Sequence, residues 1–362
     1  MGVRPRQGSP SERVGNPLQK APGTVPKNAV IPRLLNFGKT PQAWVKLRQR
    51  ILEQWLQFLG PFPPKCDLTP SVVGEETLPA FTRRKVRYRV EAHGDGLWVE
   101  AYLLIPRSGP SRRPAVLVFH STTEDTIREP AGLAGPRSLH TGPHLAERGY
   151  VVLCPTNYLW DRRGLSVADD LVDREMYLAT TARALSGHPN RTGMGKMIWD
   201  GIRAVDYLQT LDEVDPDRIG CFGFSLGGKE ALYAAAFDSR LQATVSTEGG
   251  IGLTYSNWHD PWYLGPRIRE PGFAMDNHEV LALVAPRAFL LAGSTGGVNE
   301  EDGEYKVGYD GERSWPYIAS ALPLYEMLGA KERIGLFCHA CGHSVPSVAR
   351  ETAYAWLDTF LR

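Results

Sequence analysis

The sequence predicts an α/β fold, with a mainly parallel central sheet and helices on both of its faces. Short apolar segments typical of strands alternate with helical segments between residues 83 and 362, and this alternation favours a parallel sheet. The length of 362 residues is sufficient for one large domain of this class with an N-terminal extension. Ser225, flanked by glycines, follows an apolar segment and precedes a helical one, and this strand–turn–helix order agrees with the same fold class.

The N-terminal part of the chain differs from the rest in composition. Residues 1–39 are rich in Pro, Gly, Ser and basic residues and have no regular apolar spacing, which predicts a disordered or surface-draped arm. Residues 40–82 are expected to form an N-terminal helical extension. The pair Thr40-Pro41 is typical of a helix start, and apolar residues then recur at helical spacing until Gly60-Pro61.

Residues 83–362 are predicted to form the main domain. A strand at 85–90 and a partner at 97–106 are typical of a hairpin that turns at Gly94-Asp95-Gly96. The remaining predicted elements are strands at 115–120, 150–155, 217–222, 243–246, 288–293 and 334–338, and helices near 144–149, 194–211, 229–237 and 345–361.

The composition argues against several classes of partner. The chain is 42% hydrophobic and 22% charged, which is ordinary for a globular protein, and its net charge of +1 creates no field that would attract nucleic acid or a membrane surface. No apolar run approaches the roughly 18–20 residues that span a bilayer, and the first residues lack the apolar core of a secretory signal. Five sparse cysteines suit reduced thiols, so a cytoplasmic location is expected. The oligomeric state stays open.

The stretch Gly223-Phe224-Ser225-Leu226-Gly227 is the most informative motif of the chain. It fits G-x-S-x-G, the nucleophile elbow in which a serine stands on a sharp turn between a strand and a helix. Small flanking residues are needed because a Cβ at the glycine positions would collide with the neighbouring backbone. The motif predicts that Ser225 is a catalytic nucleophile at a helix N-terminus, where free N–H groups favour developing negative charge.

A serine hydroxyl needs a base to accept its proton. His343 is the preferred base, because it lies in a loop after the last predicted strand and follows the serine in the chain order expected for this fold. His339, four residues earlier, is the competing histidine.

The acid that would orient the histidine is harder to assign. The loop after the strand at 288–293 is long and acidic, and Asp310 is favoured because it directly precedes a predicted helix start, so that 296–308 would be an insertion. Glu248, after the preceding strand, is the alternative acid.

Acyl transfer also needs two donors for an oxyanion. The backbone N–H of Leu226 is the first candidate, because it directly follows the nucleophile. Thr122, in the loop after the strand at 115–120, is the second, although Ser121 replaces the usual glycine of that loop.

Aromatic residues are concentrated in the loop that follows the strand after the elbow helix. Trp258, Trp262 and Tyr263 are candidates for substrate binding, because aromatic rings stack on sugars; a role in closing the core is equally compatible with their sequence. The stretch 276–279 resembles a metal cluster, but it begins a helix and is better explained by capping. A lone C-x-x-C at 338–341 has no second half, so neither a metal nor a cofactor is expected.

From about Thr40 to its C-terminus the chain resembles bacterial α/β-hydrolases related to acetyl xylan esterases and dienelactone hydrolases. The segments that carry this resemblance are 59–63, 199–208, 217–228, 276–287 and 342–344. Dienelactone hydrolases proper use a cysteine nucleophile, and Ser225 departs from that pattern. The resemblance therefore implies an α/β-hydrolase fold and a serine carboxylesterase.

The predicted function is hydrolysis of a carboxylic ester, with an acetylated carbohydrate as a candidate substrate, by a Ser–His–acid triad through an acyl-enzyme. A serine peptidase of the prolyl-oligopeptidase type is one alternative, although the residues before position 83 are too few for its usual propeller. A catalytically silent binding protein is the other alternative, and the intact Ser–acid–His order argues against it.

Overall fold

The computed structural model describes residues 40–92, 97–161 and 174–362. The predicted arm at 1–39 and the predicted turn at 94–96 lie outside the described residues. The helices are α1 Pro41–Leu59, α2 Thr141–Glu147, α3 Arg174–Leu185, α4 Gly193–Leu208, α5 Leu226–Phe237, α6 Asn277–Val284, α7 Trp315–Met327 and α8 Ser347–Leu361. The strands are β1 Ser71–Thr77, β2 Phe81–Arg89, β3 Trp98–Pro106, β4 Arg113–Phe119, β5 Val151–Pro155, β6 Val214–Phe224, β7 Leu241–Thr247, β8 Ala288–Gly293, β9 Gly296–Val298, β10 Tyr305–Val307 and β11 Ile334–Cys338.

The central sheet has nine strands in the order β1-β2-β3-β5-β4-β6-β7-β8-β11. The pairs from β1 to β5 are antiparallel, whereas every pair from β5 to β11 is parallel. This topology confirms the predicted α/β class. Because β4, β6, β7, β8 and β11 run in one direction, the loops after them meet at one edge of the sheet, where ligands bind in open α/β folds.

The residues of strand β4 show how both faces of the sheet are covered. Ala115, Leu117 and Phe119 pack into a cluster with residues of α4 and α5. Val116 and Val118 point to the other face and pack with residues of α2 and α8. Since successive side chains of a strand alternate between faces, a strand that is apolar at every position needs a helix layer on each side.

The segment 40–82, predicted as a helical extension, contains both a helix and a strand. Helix α1 begins after the Thr40 cap and ends at Gly60, as predicted, and it buries Ile51 and Trp55 completely against the main domain. Strand β1 pairs antiparallel with β2 and so extends the same sheet. All seven β1 residues are exposed, so the strand lacks the apolar alternation that would have revealed it in the sequence.

Strands β9 and β10 form a separate two-stranded hairpin. It lies within the stretch 296–308 that was predicted as an insertion after β8. The hairpin packs closely on the loop after β11: a Cβ at Gly297 would lie 1.7 Å from the carbonyl oxygen of Ala340. Of the helices among the described residues, none has the length and apolar character needed to cross a bilayer.

Candidate active site

The elbow has the backbone that the G-x-S-x-G motif predicts. Ser225 has φ +59° and ψ −115° between β6 and α5, a conformation that is strained for a residue with a side chain. The turn is held because the Ser225 N–H donates to the carbonyl oxygen of Thr247 at 2.9 Å. A Cβ at Gly223 would lie 1.9 Å from the oxygen of Gly227, and one at Gly227 would lie 2.3 Å from the oxygen of Phe119. Both glycines are therefore required by close backbone approaches.

His343 is placed next to the elbow serine. Its Nε2 lies 3.0 Å from the Oγ of Ser225, within hydrogen-bond distance. The imidazole is held between two rings, with centroids 4.9 Å from Phe224 and 4.8 Å from Tyr309. Burial, and secondarily the positive charge of Lys229, lower the pKa of His343 to about 4. The ring is therefore neutral near pH 7 and can accept a proton.

The carboxylate nearest to His343 is that of Glu248. Its Oε2 lies 3.6 Å from His343 Nδ1, and this ring nitrogen has no hydrogen-bond partner among the described residues. Glu248 has φ +52°, so the chain turns sharply directly after β7. The two carboxylate oxygens accept the backbone N–H groups of Ser294 and Tyr309. These bonds aim a fully buried carboxylate at the histidine.

Asp310, the sequence-preferred acid, is buried but is bound elsewhere. Its carboxylate accepts the N–H groups of Gly250 and Ile251 at 2.8 and 2.9 Å, and the hydroxyl of Ser314 at 2.8 Å. The oxygens of Asp310 thus hold the backbone after β7 rather than the histidine, and this geometry favours Glu248, the alternative acid of the sequence, over Asp310.

Glu248 and Asp310 form a reciprocal pair between two loops. Glu248 comes from the loop after β7 and binds backbone N–H groups after β8, whereas Asp310 comes from the loop after β8 and binds those after β7. A Cβ at Gly293 would lie 2.5 Å from the Asp310 Cβ and 3.2 Å from Glu248 Oε1, so both carboxylates are packed side by side. Burial and the charge of Asp310 raise the pKa of Glu248, and the backbone donors oppose this rise.

The proposed oxyanion donors lie on either side of the elbow. Leu226 is the first residue of α5, and Thr122 is an exposed residue of the loop after β4. Ser121, which stands where a glycine is usual, donates its hydroxyl to the buried Glu129 at 2.7 Å. The backbone N–H of Asn157 donates to Nε2 of His120 at 3.1 Å. These bonds hold the loop in place, while the assignment of Leu226 and Thr122 as donors stays a prediction.

The loop aromatics, which the sequence offered as candidates for substrate binding or for closing the core, are buried. Trp258, Trp262 and Tyr263 are 0%, 6% and 3% exposed. The indole N–H of Trp258 donates to the carbonyl oxygen of Gly250 at 2.7 Å, and its ring centroid lies 4.7 Å from the Nζ of Lys229. The aromatic residues thus close the core and support the loop after β7, which was the other interpretation of their sequence.

Lys229 was not identified from the sequence, although it follows the serine on the elbow helix. It is buried, and its ammonium donates to the carbonyl oxygen of Gly249 and to the hydroxyl of Ser256. Burial lowers its pKa to about 7, while Asp310 and Asp260 oppose this shift. The signal that could have revealed it is its place four residues after Ser225, on an elbow helix that is mostly apolar, because a lysine on a buried helix face is unusual.

The other flagged motifs have structural roles. Asp276 caps α6, Asn277 bonds to Tyr233 and Ile251, and Glu279 accepts the indole N–H of Trp55 at 3.0 Å. This agrees with the capping interpretation of 276–279. Among residues 40–92, 97–161 and 174–362, no group of three or more His, Cys, Asp or Glu side chains is arranged to hold a metal ion.

Comparisons with known proteins agree with this architecture. Residues 99–263 match the model of the Dienelactone hydrolase family. This segment runs from β3 through the elbow and Glu248 to the aromatic loop, but it ends before His343.

Known relatives are similar to this chain in sequence, and solved structures are similar to it in fold. Hydrolase YtaP of Bacillus subtilis (strain 168) is 28% identical over 72% of this chain and 83% of its own length. The 4-O-methyl-glucuronoyl methylesterase 1 of Sodiomyces alcalophilus is 27% identical over 41% of this chain, which spans only 34% of that protein. A glucuronoyl esterase from Solibacter usitatus superposes with a TM-score of 0.63 at 18% identity, covering 88% of this chain and 93% of that one.

The resemblance stated from the sequence is confirmed by these matches, as are the fold and the enzyme class. The chain is a hydrolase with an α/β-hydrolase fold, and its residues 99–263 match the model of the Dienelactone hydrolase family.

Proposed function

We propose that this protein is a serine carboxylesterase that acts on a carbohydrate ester through an acyl-enzyme. The observation that carries the proposal is the 3.0 Å approach of His343 Nε2 to Ser225 Oγ, on an elbow whose backbone holds the serine in a strained conformation. A nucleophile in hydrogen-bond contact with a neutral imidazole is the arrangement that activates serine for attack on an ester.

In the proposed reaction His343 accepts the hydroxyl proton of Ser225 while the oxygen attacks the ester carbonyl. The N–H groups of Leu226 and Thr122 stabilise the oxyanion. The protonated histidine then donates its proton to the departing alcohol. Water, deprotonated by the same histidine, hydrolyses the acyl-enzyme and frees the serine.

We assign Glu248 as the acid of this triad. The neutral His343 that accepts the Ser225 proton at Nε2 carries its own hydrogen on Nδ1, and this Nδ1–H faces the Glu248 carboxylate 3.6 Å away. Once Nε2 is protonated as well, the carboxylate stabilises the positive charge of the ring, and a shorter contact would complete the hydrogen bond. Asp310 instead supports Glu248 indirectly, because the Asp310 carboxylate binds the backbone N–H groups of Gly250 and Ile251, which follow Glu248 in the chain.

A cavity beside the oxyanion loop suits the carbohydrate part of the substrate. It has a volume of about 250 Å³, and its lining includes Trp98, Trp160, Asn157 and Asp200. The ring centroid of Trp160 lies 4.8 Å from that of His120, which joins the cavity wall to the loop that carries Thr122. Two indoles with hydrogen-bonding side chains between them are a suitable surface for a sugar ring. The name of one relative, a 4-O-methyl-glucuronoyl methylesterase, also supports a carbohydrate ester as the substrate class.

The first experiment compares the wild type with Ser225→Ala on a short-chain aryl acetate. We expect the variant to lose activity by a factor of about 10³ or more. Ser320→Ala is a matched control, because that hydroxyl bonds only to the carbonyl oxygen of Tyr317 within its own helix. Equal activity of wild type and Ser225→Ala, or inactivity of both, would contradict the proposed function.

The second experiment tests the substrate class. Acetylated sugars, methyl uronates, aryl acetates and a peptide anilide are compared by kcat/KM. Trp160→Ala should lower kcat/KM for the sugar esters at least about tenfold more than for the aryl acetate, because the proposal places the sugar, and not the acetyl group, in the cavity that Trp160 lines. Trp315→Ala, which removes a half-exposed indole from α7, is the control. A preference for the peptide anilide would favour the peptidase alternative instead.

A further inference from the structure

His339, the competing histidine of the sequence, lies near the Glu248 oxygen that His343 does not face. Its side chain is 3% exposed, and its Nε2 lies 3.6 Å from Glu248 Oε1. His343 approaches the other oxygen at the same distance. One buried carboxylate therefore faces an imidazole at each of its two oxygens.

The hydrogen bonds of His339 determine which of its nitrogens carries the proton. Its Nδ1 accepts the backbone N–H of Cys341 at 3.3 Å. A neutral imidazole that accepts at Nδ1 carries its hydrogen on Nε2, and Nε2 is the atom that faces Glu248. Burial lowers the pKa of His339, which favours this neutral form. The ring therefore presents an N–H group to the carboxylate.

The backbone keeps this N–H group in place. The N–H of His339 donates to the carbonyl oxygen of Gly293 at 3.0 Å, which continues the pairing of β11 with β8 past the end of the strand. His339 is thus attached to the sheet, whereas His343 lies farther along the loop.

We propose that His339 is a positioning residue that keeps the Glu248 carboxylate ionised and directed at His343. The inference rests on the proposed function, since it concerns the acid of the same triad. Glu248 accepts backbone N–H groups of Ser294, Tyr309 and Asp310, and the Nε2–H of His339 faces the same carboxylate from 3.6 Å. A donor beside a carboxylate stabilises its charged form.

The other charged groups near this pair make such a donor necessary. Asp310 lies beside Glu248 and disfavours its ionisation. Lys229 on α5 and Lys306 on β10 favour the neutral form of His343, whereas Asp310 favours its charged form. Glu300 favours the charged form of His339, and burial favours the neutral one. While His343 is neutral, hydrogen-bond donors oppose the combined effect of burial and Asp310 on Glu248.

The test compares His339→Leu, His339→Gln and the wild type by their pH profiles of kcat/KM on an aryl acetate. Leucine removes the donor, so Glu248 takes up a proton at higher pH and the acid limb should move upward by about one pH unit. Glutamine can accept from Cys341 and donate to Glu248, so its acid limb should stay close to that of the wild type. At pH values above the limb, His339→Leu should retain activity within about tenfold.

An unchanged acid limb in folded His339→Leu would overturn the proposal, as would equal losses in both variants at every pH. If His339→Leu does not fold, His339→Asn replaces it, because its shorter amide cannot reach both partners. The same variants in a Ser225→Ala background are then titrated by the ¹³C shift of the Glu248 carboxyl carbon. That titration does not depend on activity, so it distinguishes a wrong role for His339 from a wrong function.

Discussion

The two buried carboxylates provide the sharpest test of the proposed triad, through Glu248→Gln and Asp310→Asn. Both substitutions replace a carboxylate oxygen by an NH₂ group that faces a backbone N–H, which leaves one buried donor without an acceptor. For Glu248 that donor belongs to Ser294 or Tyr309, and for Asp310 it belongs to Gly250 or Ile251. Each variant should lose about 1–3 kcal/mol of unfolding free energy.

The two variants should differ in activity. Glu248→Gln cannot stabilise the protonated His343 that lies 3.6 Å away, so kcat/KM should fall by about 10³–10⁴. Asp310→Asn leaves that contact in place, and its kcat/KM should stay within about tenfold once the folded fraction is taken into account.

Both variants are assayed by kcat/KM on an aryl acetate at pH 7.5, in parallel with urea unfolding. Glu304→Gln serves as the control, because the Glu304 carboxylate is exposed in the same segment between β8 and α7 that contains Asp310. The reasoning is refuted if Asp310→Asn loses several orders of magnitude while Glu248→Gln remains active. Equal large losses would mean that the reciprocal pair acts as one unit rather than as an acid and a support.

Three further outcomes are expected. Gly223→Ala places a Cβ 1.9 Å from the oxygen of Gly227, so the elbow must open; the aryl acetate assay should show a loss of at least about 10² with a lowered melting temperature. The pKa of His278 is lowered by burial to about 4. The folded protein thus binds fewer protons there than the unfolded chain, and stability is lost as the pH falls from 6.5 towards 4. His278→Leu removes this loss, so urea unfolding at pH 7 and pH 5 should show a smaller decline for the variant than for the wild type. Glu91 accepts Arg191 and Lys196 at 3.0 and 2.9 Å in the interior, and Glu91→Leu should cost about 3–5 kcal/mol in the same assay, because the buried Arg191 loses its carboxylate partner and Lys196 loses one of two carboxylates.

Much of the site could be predicted because its signals are local. The elbow needs Gly223 and Gly227 within five consecutive residues, and the collisions that exclude other side chains occur within the same turn. His343 was found from its place after the last strand, since parallel strands deliver their following loops to one edge.

The choice of acid was not predictable in the same way. Glu248 and Asp310 both follow parallel strands and are both completely buried, so their positions in the sequence are equivalent. What separates them is the direction of each side chain, which depends on backbone N–H groups that lie 46 to 61 residues away in the chain.

Contacts between residues far apart in the chain also explain why the burial of the aromatic loop and the presence of strand β1 could not be predicted from the sequence. Trp258 was a reasonable candidate for sugar binding until the structure showed its ring under the Lys229 ammonium and its N–H on Gly250. Strand β1 has only exposed side chains, and its pairing depends on backbone hydrogen bonds and on ion pairs such as Arg84–Glu75.

The sequence by itself predicted the fold class, which the structure confirms, and it singled out Ser225 as the candidate nucleophile and His343 as the preferred base, because apolar periodicity and the steric demands of a tight turn depend on neighbouring residues. Only the tertiary structure decided which carboxylate lies nearest to His343, that His339 faces the other oxygen of that carboxylate, and that the loop aromatics are interior. Those outcomes depend on contacts between distant loops, and such contacts are set by the packing of the whole sheet rather than by any local pattern.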